Sequence, residues 1–195
     1  MTDDDEKFAQ VEIYQMSKKG RKRFVLYSTS TVTYSEAMLQ LIFKKMLEQR
    51  INNIDTIILD DMEITDETVK VLCQLPWLNY ISLSCNKLTN VSVVEIVTRF
   101  PDLERLCLAE NKEISDISLC KTLKKLKQLW MDGTSVCLTA DDIENWIVKS
   151  QLETVNFCQT PTRIEEIQLL CTLWGQDLPN QDFLEPTTKV VKDDS

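Results

Sequence analysis

Between residues 78 and 88 the chain reads LNYISLSCNKL, with Leu78, Ile81, Leu83, Asn86 and Leu88 at positions 1, 4, 6, 9 and 11. A step of two puts Ile81 and Leu83 on the same side of an extended segment, and the steps of three on either side require the chain to bend. The same offsets recur in four other places: Ile54, Ile57, Leu59, Met62 and Ile64; Leu103, Leu106, Leu108 and Asn111, with Ile114 displaced by one; Leu126, Leu129, Met131, Thr134 and Val136; and Leu152, Val155, Phe157, Thr160 and Thr162. The first positions of these units lie 24, 25, 23 and 26 residues apart. Each unit therefore predicts a short strand whose positions 4 and 6 face a core while 3, 5 and 7 face away, followed by a bend that returns 9 and 11 inward. Asn86 and Asn111 suit the bend, because an amide can bond its backbone. Thr134 and Thr160 offer only a hydroxyl, and Met62 offers nothing, so the turn of the first unit must be satisfied differently.

Helix starts follow each bend. Thr65, Thr89, Ser115, Thr139 and Thr162 are placed as N-caps, and Thr139 with Asp142 and Thr162 with Glu165 approximate capping boxes. The stretches DETVKVLCQL and ADDIENWIV read as helices, and Pro76 and Pro101 stop a helix two residues before the next position 1. Strand, turn and helix repeated at this period predict an α/β solenoid, with a parallel concave sheet and helices on the convex side. In front, VEIYQM and RKRFVLYS read as a hairpin turning at Gly20, with Phe24 and Leu26 at positions 4 and 6 of a degenerate first unit. Thr33 and Glu36 then form a capping box for a helix that carries Leu39, Ile42, Phe43 and Met46 on one face. The expected organisation is an acidic, loosely ordered stretch over 1–10, an N-terminal cap over 11–50, about five repeats over 51–174 closed by the helix RIEEIQLLCTLW, and a flexible tail over 175–195.

The unit resembles the leucine-rich repeat, Leu-x-x-Leu-x-Leu-x-x-Asn-x-Leu, and residues 78–88 match it at every position. The resemblance covers residues 51 to 174 and implies an array that binds a protein partner on its concave face. Ile64-Thr65-Asp66 is similar to the repeats of F-box substrate adaptors of ubiquitin ligases, although no F-box helices are apparent before residue 51. Few repeats and a negative charge are also similar to the acidic leucine-rich nuclear proteins, which act as chaperones of basic proteins; here the end, TTKVVKDDS, is mixed in sign. These two roles are the alternatives to a general protein-binding module.

Charge and composition narrow the chemistry. With 22 Lys and Arg against 31 Asp and Glu, the net charge of -9 disfavours nucleic acid and favours a partner with a basic patch. The chain has no histidine, which removes Ser/His and Cys/His pairs, and only Gly20, Gly133 and Gly175, too few for a phosphate-cradling loop. No catalysis and no cofactor are expected. Seven cysteines without a Cys-x-x-Cys pair argue against a metal site, and with no apolar leader they fit reduced thiols in the cytoplasm. Lys18-Lys19-Gly20-Arg21-Lys22-Arg23 keeps nuclear import open as an alternative. The apolar runs are too short to span a membrane, and a monomer is expected.

Register also predicts the outward face. Position 3 carries Tyr80 and Arg105 and position 5 carries Trp130, so these three fall on successive strands in one patch. They are the residue types enriched at binding hot spots. Asp60, Asp61, Glu110 and Asp132 are expected to form an acidic margin beside them, and Trp130 to stand exposed as the anchor. Cys107 and Cys158 belong to the same face, and Cys73, Cys120 and Cys171 to helices.

Overall fold

The computed structural model describes residues 12–15, 22–25, 34–51 and 54–174. The turn at Gly20, most of the basic run, Leu26, Thr33, the first ten residues and the tail from 175 lie outside the described residues. Seven strands form one sheet in chain order: β1 (Glu12–Gln15), β2 (Lys22–Val25), β3 (Ile54–Ile58), β4 (Tyr80–Ser82), β5 (Arg105–Cys107), β6 (Gln128–Trp130) and β7 (Thr154–Asn156). β1 and β2 pair antiparallel, and every later pair is parallel. Among the described residues, four α-helices alternate with the strands: α1 (Glu36–Glu48), α2 (Asp66–Leu72), α3 (Asn90–Arg99) and α4 (Ile164–Trp174). Ser118–Thr122 forms a 3-10 turn and Asp142–Ile147 a π-helix in the two remaining crossovers.

Register follows the hydrophobic pattern. Phe24, Ile57, Ile81, Leu106, Leu129 and Val155 align across the sheet. All but Val155 are buried, in one cluster with Leu39, Phe43, Met46, Val69, Leu72, Val93, Ile96 and Ile143 from the helical segments. Burying each such side chain contributes about 2 kcal/mol, and this is what holds the helices against one side of the strands.

The bend after each strand has a common backbone form. Asp61, Cys85, Glu110, Gly133 and Gln159, all at position 8, have φ between 55° and 66°. This left-handed residue turns its N–H to the next unit: Asp61 N donates to Ser84 O, Cys85 N to Ala109 O, Glu110 N to Asp132 O and Gly133 N to Cys158 O. The turn of the first unit, which Met62 cannot serve, borrows Asn86 from the following one. Asn86 Oδ1 accepts from Met62 N and Ile64 N, both at 3.1 Å, while Nδ2 donates to Leu59 O and Ser84 O. Asn111 likewise accepts from Leu88 N and donates to Leu83 O, Leu108 O and Ala109 O. Thr134 donates to the carbonyl of Met131, and Thr160 to that of Phe157, its hydroxyl lying 2.9 Å from that of Thr162.

Gly133 is the one position 8 occupied by glycine. A Cβ there would fall on the Glu110 carboxylate, and at φ +66° it would also be strained. Gly133→Ala is therefore expected to cost about 2 kcal/mol, falling to about 1 kcal/mol in a Glu110→Ala background where only the backbone strain remains. A denaturation double-mutant cycle reads the difference; equal costs in both backgrounds would mean that the carboxylate yields freely.

Helix caps hold at Thr65 and Thr89, which accept from Glu67 N and Val91 N, and at Thr139, which exchanges hydrogen bonds with Asp142. Three expectations are corrected. The cap of α1 is Ser35, whose hydroxyl accepts from Met38 N, and Glu36 instead reaches Thr65 and Thr68 in the next unit. Ser115 does not cap, because its hydroxyl accepts from Asn90 Nδ2 at 3.1 Å and only a 3-10 turn follows. Thr162 accepts from Leu138 N of the preceding unit, and in place of a box with Glu165 an Arg163–Glu166 ion pair closes the first turn of α4.

Candidate functional site

On the strand face opposite the core, register sets Tyr80 beside Arg105, and Ser82 beside Cys107 and then Trp130. Strand pairing alone places Trp130 two strands from Tyr80. The indole nevertheless reaches back across β5, so that the two ring centroids lie 6.4 Å apart at 48°. The Arg105 guanidinium stacks over the Tyr80 ring with Cζ 4.4 Å from its centroid. The three predicted residues thus form one stack of guanidinium, phenol and indole, each partly buried. Aromatic and cation–π contacts of this kind contribute about 1 kcal/mol each and fix the orientation of the groups. Trp130 is therefore not the free-standing indole expected from its position, because Tyr80 covers part of it.

Burial raises the pKa of the Tyr80 phenol and the Cys107 thiol above their ordinary values, so both are neutral hydrogen-bonding groups near pH 7. Cys73 and Cys120, set among core side chains, are pushed by burial to about 12. Among the described residues, Cys73, Cys85, Cys107, Cys120 and Cys137 carry free thiols. Cys171 lies within α4.

The acidic margin divides in two. Asp60 is engaged by its neighbours, accepting from Ser82 Oγ and Ser84 N, both at 2.8 Å, and Asp61 beside it is exposed. Asp132 lies on the far side of Ser84 and Ala109, which occupy position 7 of the two intervening units, and Glu110 directly follows Ala109. At the strand spacing of about 4.8 Å, Asp60 and Asp132 are roughly 14 Å apart. The Glu110 carboxylate packs on Gly133. Asp132 is partly buried, and its Oδ1 is buried without a hydrogen-bond donor. Burial, with the negative charge of Glu110 adding to it, pushes the Asp132 carboxyl above the usual carboxylate range. The sequence pattern hid the roles of Ser82, Ser84 and Gly133; the single glycine among the position 8 residues was the available signal.

At the opposite ends of the strands, a groove of about 500 Å³ is bordered by Trp77, Pro76, Pro101, Arg99 and Lys125. Its charges are engaged locally: Arg99 donates to Cys73 O and Leu75 O, and Lys125 pairs with Asp102 at 2.9 Å. Among the described residues, no group of three or more Cys, Asp or Glu is arranged to hold a metal ion, and no helix is long and apolar enough to cross a membrane. Comparison with protein-family models finds no match, and comparison with curated proteins finds none either.

Proposed function

We propose that the chain is a leucine-rich-repeat solenoid that acts without catalysis as a protein-binding module, and that its partner contacts the strand face around Tyr80, Arg105 and Trp130. The observation that carries this reading is the guanidinium–phenol–indole stack. Three side chains of the types that dominate binding energy are held together on a face where packing of the protein's own core does not require them. The recurrence of the unit, the shared left-handed position 8 and the Asn86 and Asn111 turns support the repeat reading. The stack is pre-organised by its own contacts, so a partner gains apolar area without ordering flexible side chains.

Affinity purification of the wild-type protein from cells, followed by mass spectrometry, identifies the partner, and titration then measures it. Trp130→Ala is expected to weaken binding by about 2 kcal/mol, roughly 30-fold. Because the indole also packs on Tyr80, the fold should lose about 1 kcal/mol. Unchanged affinity with an intact fold would move the interface off this face. A ubiquitin-ligase subunit or a basic nuclear protein among the captured partners would favour the adaptor or the chaperone reading.

A further inference from the structure

One corner of the strand face is left electrostatically incomplete. Trp130 and Asp132 are two residues apart at the end of β6 and so project to the same side, and Glu110 lies against Gly133 beside them. Several other carboxylates of the array have partners. Asp60 has Ser82 and Ser84, Asp102 has Lys125, Glu104 has Lys127, and Asp142 has Lys121. Among the described residues, neither Glu110 nor Asp132 is in an ion pair, and Asp132 Oδ1 has no donor. Two like charges side by side, one of them partly desolvated, raise the free energy of the unbound protein and are relieved by a cation.

We propose that this corner seats an arginine of the protein partner, with its guanidinium stacked on the Trp130 indole and donating to the Glu110 carboxylate and to the outer oxygen of Asp132, whose Oδ1 is buried beneath it. The seat rests on the reading of the strand face as a protein-binding surface. A guanidinium fits better than an ammonium for two reasons. Its planar fork can donate to two carboxylates at once while its face lies on an aromatic ring. The same face already holds such an arrangement in Arg105 over Tyr80, so a partner arginine would repeat that contact on the neighbouring ring. The overall charge of -9 draws a basic segment toward the protein, and the corner selects where its arginine lands.

The test uses the full chain and a fluorescein-labelled peptide of alternating arginine and serine, with lysine and citrulline counterparts, followed by anisotropy at low salt. The arginine peptide is expected to bind several-fold more tightly than the lysine peptide, and the citrulline peptide not to bind. Asp132→Asn and Trp130→Ala should each weaken the arginine peptide by about tenfold, while Asp61→Asn, in the other acidic pair, stays within about twofold. A melting temperature for Asp132→Asn no lower than wild type shows that its fold is intact. Absence of arginine-peptide binding, equal binding of the lysine peptide, or equal weakening by Asp61→Asn would overturn the seat. With the purified partner, loss of binding in Trp130→Ala but not in Asp132→Asn removes the arginine seat and leaves the binding face standing. Retention by both variants removes the binding face itself.

Discussion

Asn111→Ala is expected to destabilise the protein by about 4 kcal/mol, more than a typical single substitution. The Asn111 side chain is fully buried. Its Oδ1 accepts from Leu88 N at 3.1 Å, and its Nδ2 donates to the carbonyls of Leu83 and Leu108 at 2.9 Å and of Ala109 at 3.1 Å. Alanine strands these backbone groups away from water, and each stranded group costs about 1–3 kcal/mol, with partial relaxation reducing the sum. The damage crosses a unit boundary, because Leu83 and Leu88 belong to the preceding turn. Asn111→Thr, which installs the group found at Thr134 and Thr160, keeps a donor but cannot span both turns, and should cost about 2 kcal/mol. Urea denaturation followed by far-ultraviolet circular dichroism measures both. A loss below about 1 kcal/mol for the alanine variant would mean that water enters the turn and replaces the amide.

Asp66→Ala should cost about 3 kcal/mol and should flatten the acid limb of the stability profile. Asp66 follows the cap of α2, yet its carboxylate serves the next unit: Oδ1 accepts from Thr89 N at 3.0 Å and from Ser92 Oγ, and Oδ2 accepts from Thr89 Oγ at 2.7 Å. Ser92 is fully buried and would lose its partner. Burial pushes the Asp66 carboxyl upward, but hydrogen bonds from Ser92 and Thr89 outweigh it and hold the carboxyl below its ordinary value; Glu36, bonded by Thr65 and Thr68, behaves in the same way. With a folded pKa below the unfolded one, the stabilisation is fully present above the unfolded value of about 4 and is lost as pH falls through the folded value. The wild type should therefore lose stability steeply below about pH 4. Asp66→Ala should lose less over that range. Asp66→Asn has a precedent in the chain, since Asn90 holds Ser115 N and Asp116 N of the following unit through its amide oxygen. It should recover most of the stability at neutral pH without recovering the acid slope. An acid limb in Asp66→Asn as steep as in wild type would place the titrating groups elsewhere.

Both effects arise from side chains that act one unit away from their own, and they separate what was legible from what was not. The spacing of Ile81 and Leu83, repeated at Ile57 and Leu59 and at Leu106 and Leu108, determined where strands begin and which side of them is buried. Alternation in an extended chain is a local property, and desolvation of five matched rows leaves one arrangement favourable. Thr65, Thr89 and Thr139 were legible as caps for the same reason, since a cap reaches only its own first turn. The grouping of Tyr80, Arg105 and Trp130 also followed from register. What only the tertiary structure decided is how neighbouring units meet: Asn86 completing the turn that Met62 cannot, Asp66 serving Thr89, Asn90 taking Ser115 away from a cap, and the Trp130 indole leaning back on Tyr80. It also decided that Asp60 is satisfied by two serines while Oδ1 of Asp132, in the same position of a later unit, is buried without a donor. Side chains at strand spacing can reach either their own turn or the next one, and the choice depends on which buried polar group would otherwise go unbonded, a three-dimensional condition that no single stretch of the chain contains.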